Sequence, residues 1–211
     1  QSKDIILTKN QNNLIINYGN GDSITLVGAL DTTSTKVVNF KFSDTQTSLS
    51  ELLQRPIESD ISATSSEYIY GWRGADHMVG DEKANAIYGY EDDDYLEGKT
   101  GDDSLDGGKG NNTYVFNVND GKDNISYDYL NTTDTDTIII KGVNSSATIL
   151  YKQDDNLVVK YSDNDTITLN NALLVDAKKQ VNIQFDDKTV SLTKLLATPL
   201  NNIDSSQLTI E

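Results

Sequence analysis

The 211-residue chain contains no cysteine, one histidine, one methionine, one tryptophan and two prolines. Without cysteine, neither disulfides nor thiolate metal sites can hold the fold together. With His77 as its one histidine, the sequence cannot form an HExxH zinc site, and a Ser-His-Asp triad is disfavoured. GxSxG, GxGxxG and Walker patterns are missing as well, so no catalytic function is expected. Basic residues are scarce: 17 Lys or Arg stand against 33 Asp or Glu, a formal charge of −16, which argues against nucleic-acid binding. No apolar run approaches the roughly 18 residues of a membrane span, and no charged, apolar, small-residue signal opens the chain. Its opening at Gln1 reads as a point cut from a longer protein.

The acid is concentrated. Between Asp60 and Asp128 stand 16 acidic and five basic residues, a net −11. An acidic run ordinarily means a solvated face or a disordered segment, but this one keeps a strict register. Glycine recurs every nine residues at Gly71, Gly80, Gly89, Gly98 and Gly107, and an Asp or Asn follows five places after each: Asp76, Asn85, Asp94, Asp103 and Asn112. The eighth place of each turn is filled by Ile69, Met78, Ile87, Leu96, Leu105 or Tyr114, counting a weaker first turn that begins at Ser62. A disordered tail has no reason to hold such a phase.

A helix of 3.6 residues per turn cannot use a period of nine, and one nine-residue unit cannot bury its single apolar side chain. Stacked turns can. The spacing predicts a loop of about six residues and a strand of about three, repeated as a parallel solenoid. Glycines at the first and fourth places permit a tight loop whose carbonyls approach one point, and the sixth-place carboxylate faces the same point. Carbonyls and carboxylates without a soft ligand describe a hard-cation site, and many flexible oxygen ligands favour Ca²⁺ over Mg²⁺.

The run resembles the G-G-x-G-x-D-x-U-x nonapeptide of RTX proteins, a calcium-binding repeat. The stretch Tyr114 to Ile125, with its Asp-Gly-x-Asp-x-Ile ending, resembles the exit that closes such arrays. The resemblance implies an all-β fold, a parallel β-roll flanked by capping segments, and a non-catalytic role. It also implies that each nine-residue turn is half a coil, so that turn n stacks on turn n+2 with a cation between them. On that geometry Asp76 is expected beside Asp94, with carbonyls around Trp72, Gly74, Gly89 and Glu91. Asp103 is expected beside Asp123, Asn85 beside Asp103, and Asn112 beside Asp94. The corresponding backbone positions of the other turns are Lys83, Asp92, Gly98, Thr100, Gly101, Gly107 and Lys109. The Asn sites carry less charge and are expected to bind more weakly. Lys83 and Asp92 replace the fourth-place glycine, and Glu67 replaces Asp in the first turn. Three or four calcium ions are therefore expected, with the site beside Asn85 compromised by Lys83.

Other readings of these residues are weaker. Asp102-x-Ser104-x-Asp106-Gly107 begins like an EF-hand, but Thr113 stands where a bidentate Glu is needed. The carboxylate pairs Asp93–Asp94 and Asp102–Asp103 suggest glycosidase chemistry, yet the repeat already gives one acid of each pair a ligand role. Trp72 and the tyrosines at 68, 70, 88, 90 and 95 suggest a sugar-binding face, although aromatic residues also belong to strands.

A second, longer repeat frames the first. Residues 6–53 align without a gap on 149–196 at an offset of 143, with Leu14 on Leu157, Tyr18 on Tyr161, Asp22 on Asp165 and Phe42 on Phe185. Each copy reads as strand, turn, strand, a further strand and a short helical turn, SLSELL or SLTKLL. The expected organisation is a β-rich flank over 1–53, a connector over 54–61 with Pro56, the roll over 62–128, the second flank over 129–198 and a polar tail over 199–211. A flank on each side suggests several roll-plus-cap units in tandem.

The resemblance further implies a secreted bacterial protein exported by a type I secretion system, folding outside the cell on calcium. The parent would be a cytolysin-like toxin, with any host-cell surface or glycan contact made through it. The alternatives are a calcium-rigidified adhesin segment and the tail of a secreted protease or lipase.

Overall fold

The computed structural model describes residues 5–10, 12–18, 22–30, 38–52, 58–62, 67–72, 74–126, 134–174, 180–197 and 208–209. The first flank is an antiparallel meander of β1 (Ile6–Asn10), β2 (Asn13–Tyr18) and β3 (Asp22–Leu26). A two-stranded hairpin, β4 (Asn39–Lys41) with β5 (Gln46–Ser48), and a helical turn α1 (Leu49–Leu52) follow. Alternation decides which face is inward: Leu14 and Ile16 on β2 are buried and cluster with Leu7, Leu30 and Leu52.

The nine-residue period then places successive strands in two sheets. β6 (Glu58–Ser62), β8 (Asp76–Val79), β10 (Tyr95–Glu97), β12 (Thr113–Phe116) and β14 (Thr135–Ile140) stack in parallel in one. β7 (Tyr68–Tyr70), β9 (Ala86–Tyr88), β11 (Ser104–Asp106) and β13 (Lys122–Ile125) stack in parallel in the other. Leu96 lies opposite Met78 and Tyr114, and Leu105 opposite Ile87 and Ile125. The pairing is thus turn n with turn n+2, as a β-roll requires. The eighth-place side chains Met78, Ile87, Leu96 and Leu105 are fully buried between the sheets.

The second flank continues both sheets. A 3₁₀ turn (Ser145–Ala147) leads into the antiparallel meander β15 (Ile149–Gln153), β16 (Asn156–Lys160) and β17 (Thr166–Leu169), and β17 pairs in parallel with β13. β18 (Gln180–Gln184) pairs in parallel with β14, then turns into β19 (Thr189–Ser191) and α2 (Leu192–Ala197). β20 (Leu208–Thr209) joins the far side of β15. One apolar cluster runs from Ile69 through the roll to Phe185 and Leu192. The flank therefore closes the end of a core that the roll alone would leave open.

One strand differs from the sequence reading. β6 falls across the end of the stretch read as a connector, where it bridges β1 and β8 and leaves neither with an unpaired edge. The rest of that connector, including Pro56, and the tail residues 199–207 lie outside the described residues.

Candidate metal centre: two ladders of buried carboxylates

Each loop ends in an Asp or Asn two residues before the inward apolar side chain. Side chains alternate along a strand, so this residue shares the inward face with the apolar one but sits at the loop's rim. Stacking n on n+2 gathers these residues into two ladders. On one side Asp76 donates its backbone N–H to Asp94 Oδ1 at 2.8 Å, Asp94 to Asn112 Oδ1 at 2.9 Å, and Asn112 to Asp136 Oδ1 at 3.0 Å. On the other, Asn85 donates to Asp103 Oδ1 at 2.7 Å and Asp103 to Asp123 Oδ1 at 2.9 Å. All of these side chains are buried. The structure thus brings together Asp76 with Asp94, Asp94 with Asn112, Asn85 with Asp103, and Asp103 with Asp123.

At Asp94, Asp103 and Asp123 one oxygen accepts the neighbouring backbone N–H and the other is left over. The second oxygens of Asp94, Asp103 and Asp123 are buried and accept no hydrogen bond. A carboxylate so placed is costly to ionise. Burial, aided by the charges of Asp76, Asp92 and Asp93, pushes Asp94 up to about 8 against the pull of the Asp76 amide. Burial likewise pushes Asp123 up to about 8 and Asp103 to about 6.

The surroundings of those oxygens are backbone carbonyls held close by glycine. A methyl group at Gly89 would stand 2.1 Å from Asp94 Oδ2 and 2.8 Å from the Gly107 carbonyl oxygen. At Gly71 it would meet Asp76 Oδ2 and the Gly89 oxygen, and at Gly80 the Gly98 oxygen. The first-place glycine leaves room for this convergence of carboxylate and carbonyl oxygen. Among the described residues no three His, Cys, Asp or Glu side chains form a metal-binding cluster. Each turn supplies a single buried Asp or Asn at its sixth place, so further donors in a site would be carbonyls. Such an all-oxygen set suits a hard, flexible-geometry cation.

The remaining sequence-nominated positions fall around the loops. Trp72 donates its backbone N–H to Asp76, and Gly74 to the Glu91 carbonyl at 3.3 Å. A methyl group at Gly101 would meet the Lys83 carbonyl and one at Gly110 the Asp92 carbonyl, and Asp92 takes a left-handed φ of 77° in its fourth-place position. Lys83 does not adopt that conformation. In its turn Asp81 Oδ1 accepts from the Lys83 N–H at 2.9 Å and the Asn85 amide at 3.2 Å, closing the loop with its own side chains. Thr100 is exposed, while Lys109 forms a surface ion pair with Glu91 at 3.2 Å. His77 is exposed and tilts on the Tyr95 ring, with Met78 inward.

Sequence reasoning missed three acids and a lysine. Asp136 prolongs the first ladder. Asp120 is buried and accepts from the Asn117 N–H at 2.7 Å, and Asp165 accepts from Asn119 and Gly121. Asp136 and Asp165 carry the same signal as the rungs, an acid two residues before a buried apolar residue, outside the nine-residue phase. Lys9 places its ammonium on the Tyr70 and Gly71 carbonyls at 3.3 and 3.1 Å, and against the Trp72 ring. Near Asp76, the first ladder therefore begins at a cation of the chain itself.

Residues 88–125 match the RTX calcium-binding nonapeptide repeat, in a description comprising four copies. No curated protein matches the chain.

Proposed function

From the premise that residues 88–125 carry calcium-binding RTX repeats, we propose that the roll is a calcium-dependent folding switch of a secreted protein. The observation that carries this reading is the trio of buried, unpartnered oxygens on Asp94, Asp103 and Asp123. Calcium supplies the positive charge and oxygen coordination that let these carboxylates ionise while buried. The residues that would hold it are Asp76, Asp94 and Asn112 on one side and Asn85, Asp103 and Asp123 on the other, with loop carbonyls such as Gly89, Gly98 and Gly107. Three or four ions are proposed, the Asn85 turn being the poorest because Asp81 already satisfies its amide.

In a calcium-poor cytosol the acidic turns repel one another and stay open, as suits export through a type I secretion system. In millimolar calcium outside a bacterial cell, binding energy becomes folding energy. The proposed parent is a cytolysin-like toxin. An adhesin is the second reading, favoured by exposed Tyr68, Tyr70 and Tyr90. Those rings also stack on neighbouring tyrosines at 5.4–6.5 Å, a structural use of the same side chains.

Far-ultraviolet circular dichroism during titration with CaCl₂ and, separately, MgCl₂ tests the switch. A cooperative gain of β signal with calcium alone, weakened in Asp76→Ala/Asp94→Ala, is expected. A fully folded spectrum in chelator would sink calcium-driven folding.

A further inference from the structure

The two homologous meanders rest against different neighbours. In the second, β17 lies along β13, and Tyr161, Ile167 and Leu169 are 3%, 0% and 0% exposed. In the first, the equivalent strand β3 is last in its sheet among the described residues. There the identical residues Tyr18 and Ile24 are 42% and 43% exposed, and Val27 beyond them is 85% exposed. The same side chains that are covered at one end of the molecule are bare at the other.

What covers them at the second end is chemically defined. Asp165 accepts from the backbone N–H groups of Asn119 and Gly121 at 2.8 and 3.2 Å, and the Tyr161 hydroxyl donates to the Asn117 carbonyl at 3.3 Å. These bonds grip the turn that leads into β13. The strand then runs parallel to β17, with Thr166 N–H donating to the Gly121 carbonyl and Asn170 N–H to that of Ile125. The first meander keeps Tyr18, Asp22, Ile24, Thr25 and Leu26 at the same spacing. Asp22-x-Ile24 also repeats the acid-x-apolar pattern of the ladder rungs. An apolar, unpaired edge strand is otherwise an aggregation hazard that sequences avoid.

A second copy of the chain does not supply the missing neighbour, because its own roll end is already covered by β17. We propose that β3 is the docking edge for the last turn of another nonapeptide roll carried by the same polypeptide, received in parallel as β17 receives β13. Tyr18 and Asp22 grip its turn, and Ile24 and Leu26 close its core. The meander is then a two-sided coupler, with β3 joined to one roll and β1 joined through β6 to the next. This rests on the roll architecture of the proposed function, and not on which cation fills it.

The test places a second copy of residues 62–147 directly before residue 5 of the full chain, reproducing the spacing by which β14 leads to β15. Amide hydrogen exchange is then followed in calcium. Ser23 and Val27, the equivalents of Thr166 and Asn170, are expected to exchange at least roughly 100-fold more slowly than in the unextended chain. Asp22→Ala, an exposed change that leaves the meander intact, is expected to restore roughly tenfold of that rate in the extended chain. Equal exchange at Ser23 and Val27 in both chains would overturn the proposal. So would an unextended chain that sediments as a dimer with these two amides already slow, since the occupant would then be a second copy. The amides of Asp94 and Asp103 report the calcium reading separately, so the two failures are read apart.

Discussion

Asp94→Asn should move stability in opposite directions with and without calcium. The substitution keeps an oxygen to accept the Asp76 N–H, now at 2.8 Å, and removes a buried charge whose second oxygen has no partner. Without metal the ionised form is disfavoured: the carboxyl is pushed from 3.8 up to about 8, so near neutral pH folding must draw a proton onto a group that is ionised in the unfolded chain. At neutral pH, linkage sets an upper bound of roughly 4 kcal/mol on this cost, at about 1.4 kcal/mol for each pH interval. Relaxation of the metal-free loops around the carboxyl cuts this to ~2 kcal/mol. In chelator, with an excluded osmolyte bringing the chain into its transition, the Asp94→Asn variant should therefore be more stable than the parent chain by about that amount. In saturating calcium the order should invert, because two neighbouring sites each lose a charged ligand and affinity falls by roughly tenfold or more. Circular dichroism along an osmolyte titration reads the first, and calorimetric calcium titration the second. Destabilisation by Asp94→Asn in chelator would refute the reasoning.

Three further outcomes follow from the same geometry. Gly98→Ala puts a methyl group 2.2 Å from Asp103 Oδ2; it should cost about 1–3 kcal/mol and blunt the calcium response, whereas a wild-type titration curve would contradict the crowded-oxygen account. Leu96→Ala empties a fully buried position between Met78 and Tyr114 and should cost about 3–4 kcal/mol in calcium, measured by urea unfolding; a loss under about 1 kcal/mol would mean that the inward stack is not a packed core. The metal-free chain should be more ordered in mild acid than at about pH 8. Asp94 and Asp123 have folded values raised above 3.8, so their stability contribution is full below that value and is lost as pH rises through about 8. A spectrum in chelator that gains structure with rising pH would argue against this sign.

The roll was legible because its signal is periodic. Asp76, Asp94, Met78 and Leu96 form two pairs eighteen residues apart, and the fold joins them at that separation. Past Asn112 the period breaks: β11 meets β13 at a spacing of twenty and β12 meets β14 at twenty-four. A search in steps of nine therefore loses Asp136, although Asp136-x-Ile138 repeats the rung pattern. The duplication was visible in identities such as Tyr18 with Tyr161, yet not its use. The first meander joins the roll by its first strand and the second by its third, a choice made by which neighbour each edge meets. Lys9 was opaque for a related reason: its partners Tyr70 and Gly71 lie over sixty residues away, and no local pattern marks a lysine that will meet carbonyls.

Amide hydrogen exchange at Asp76, Asn85, Asp94 and Asp103, followed with calcium and with chelator, tests the central claim most directly, because each of these N–H groups donates to the next rung of a ladder. The account predicts protection of all four in calcium and exchange near the unfolded rate in chelator, with magnesium no substitute. Equal protection in chelator would contradict it, showing a roll that stands without its ions.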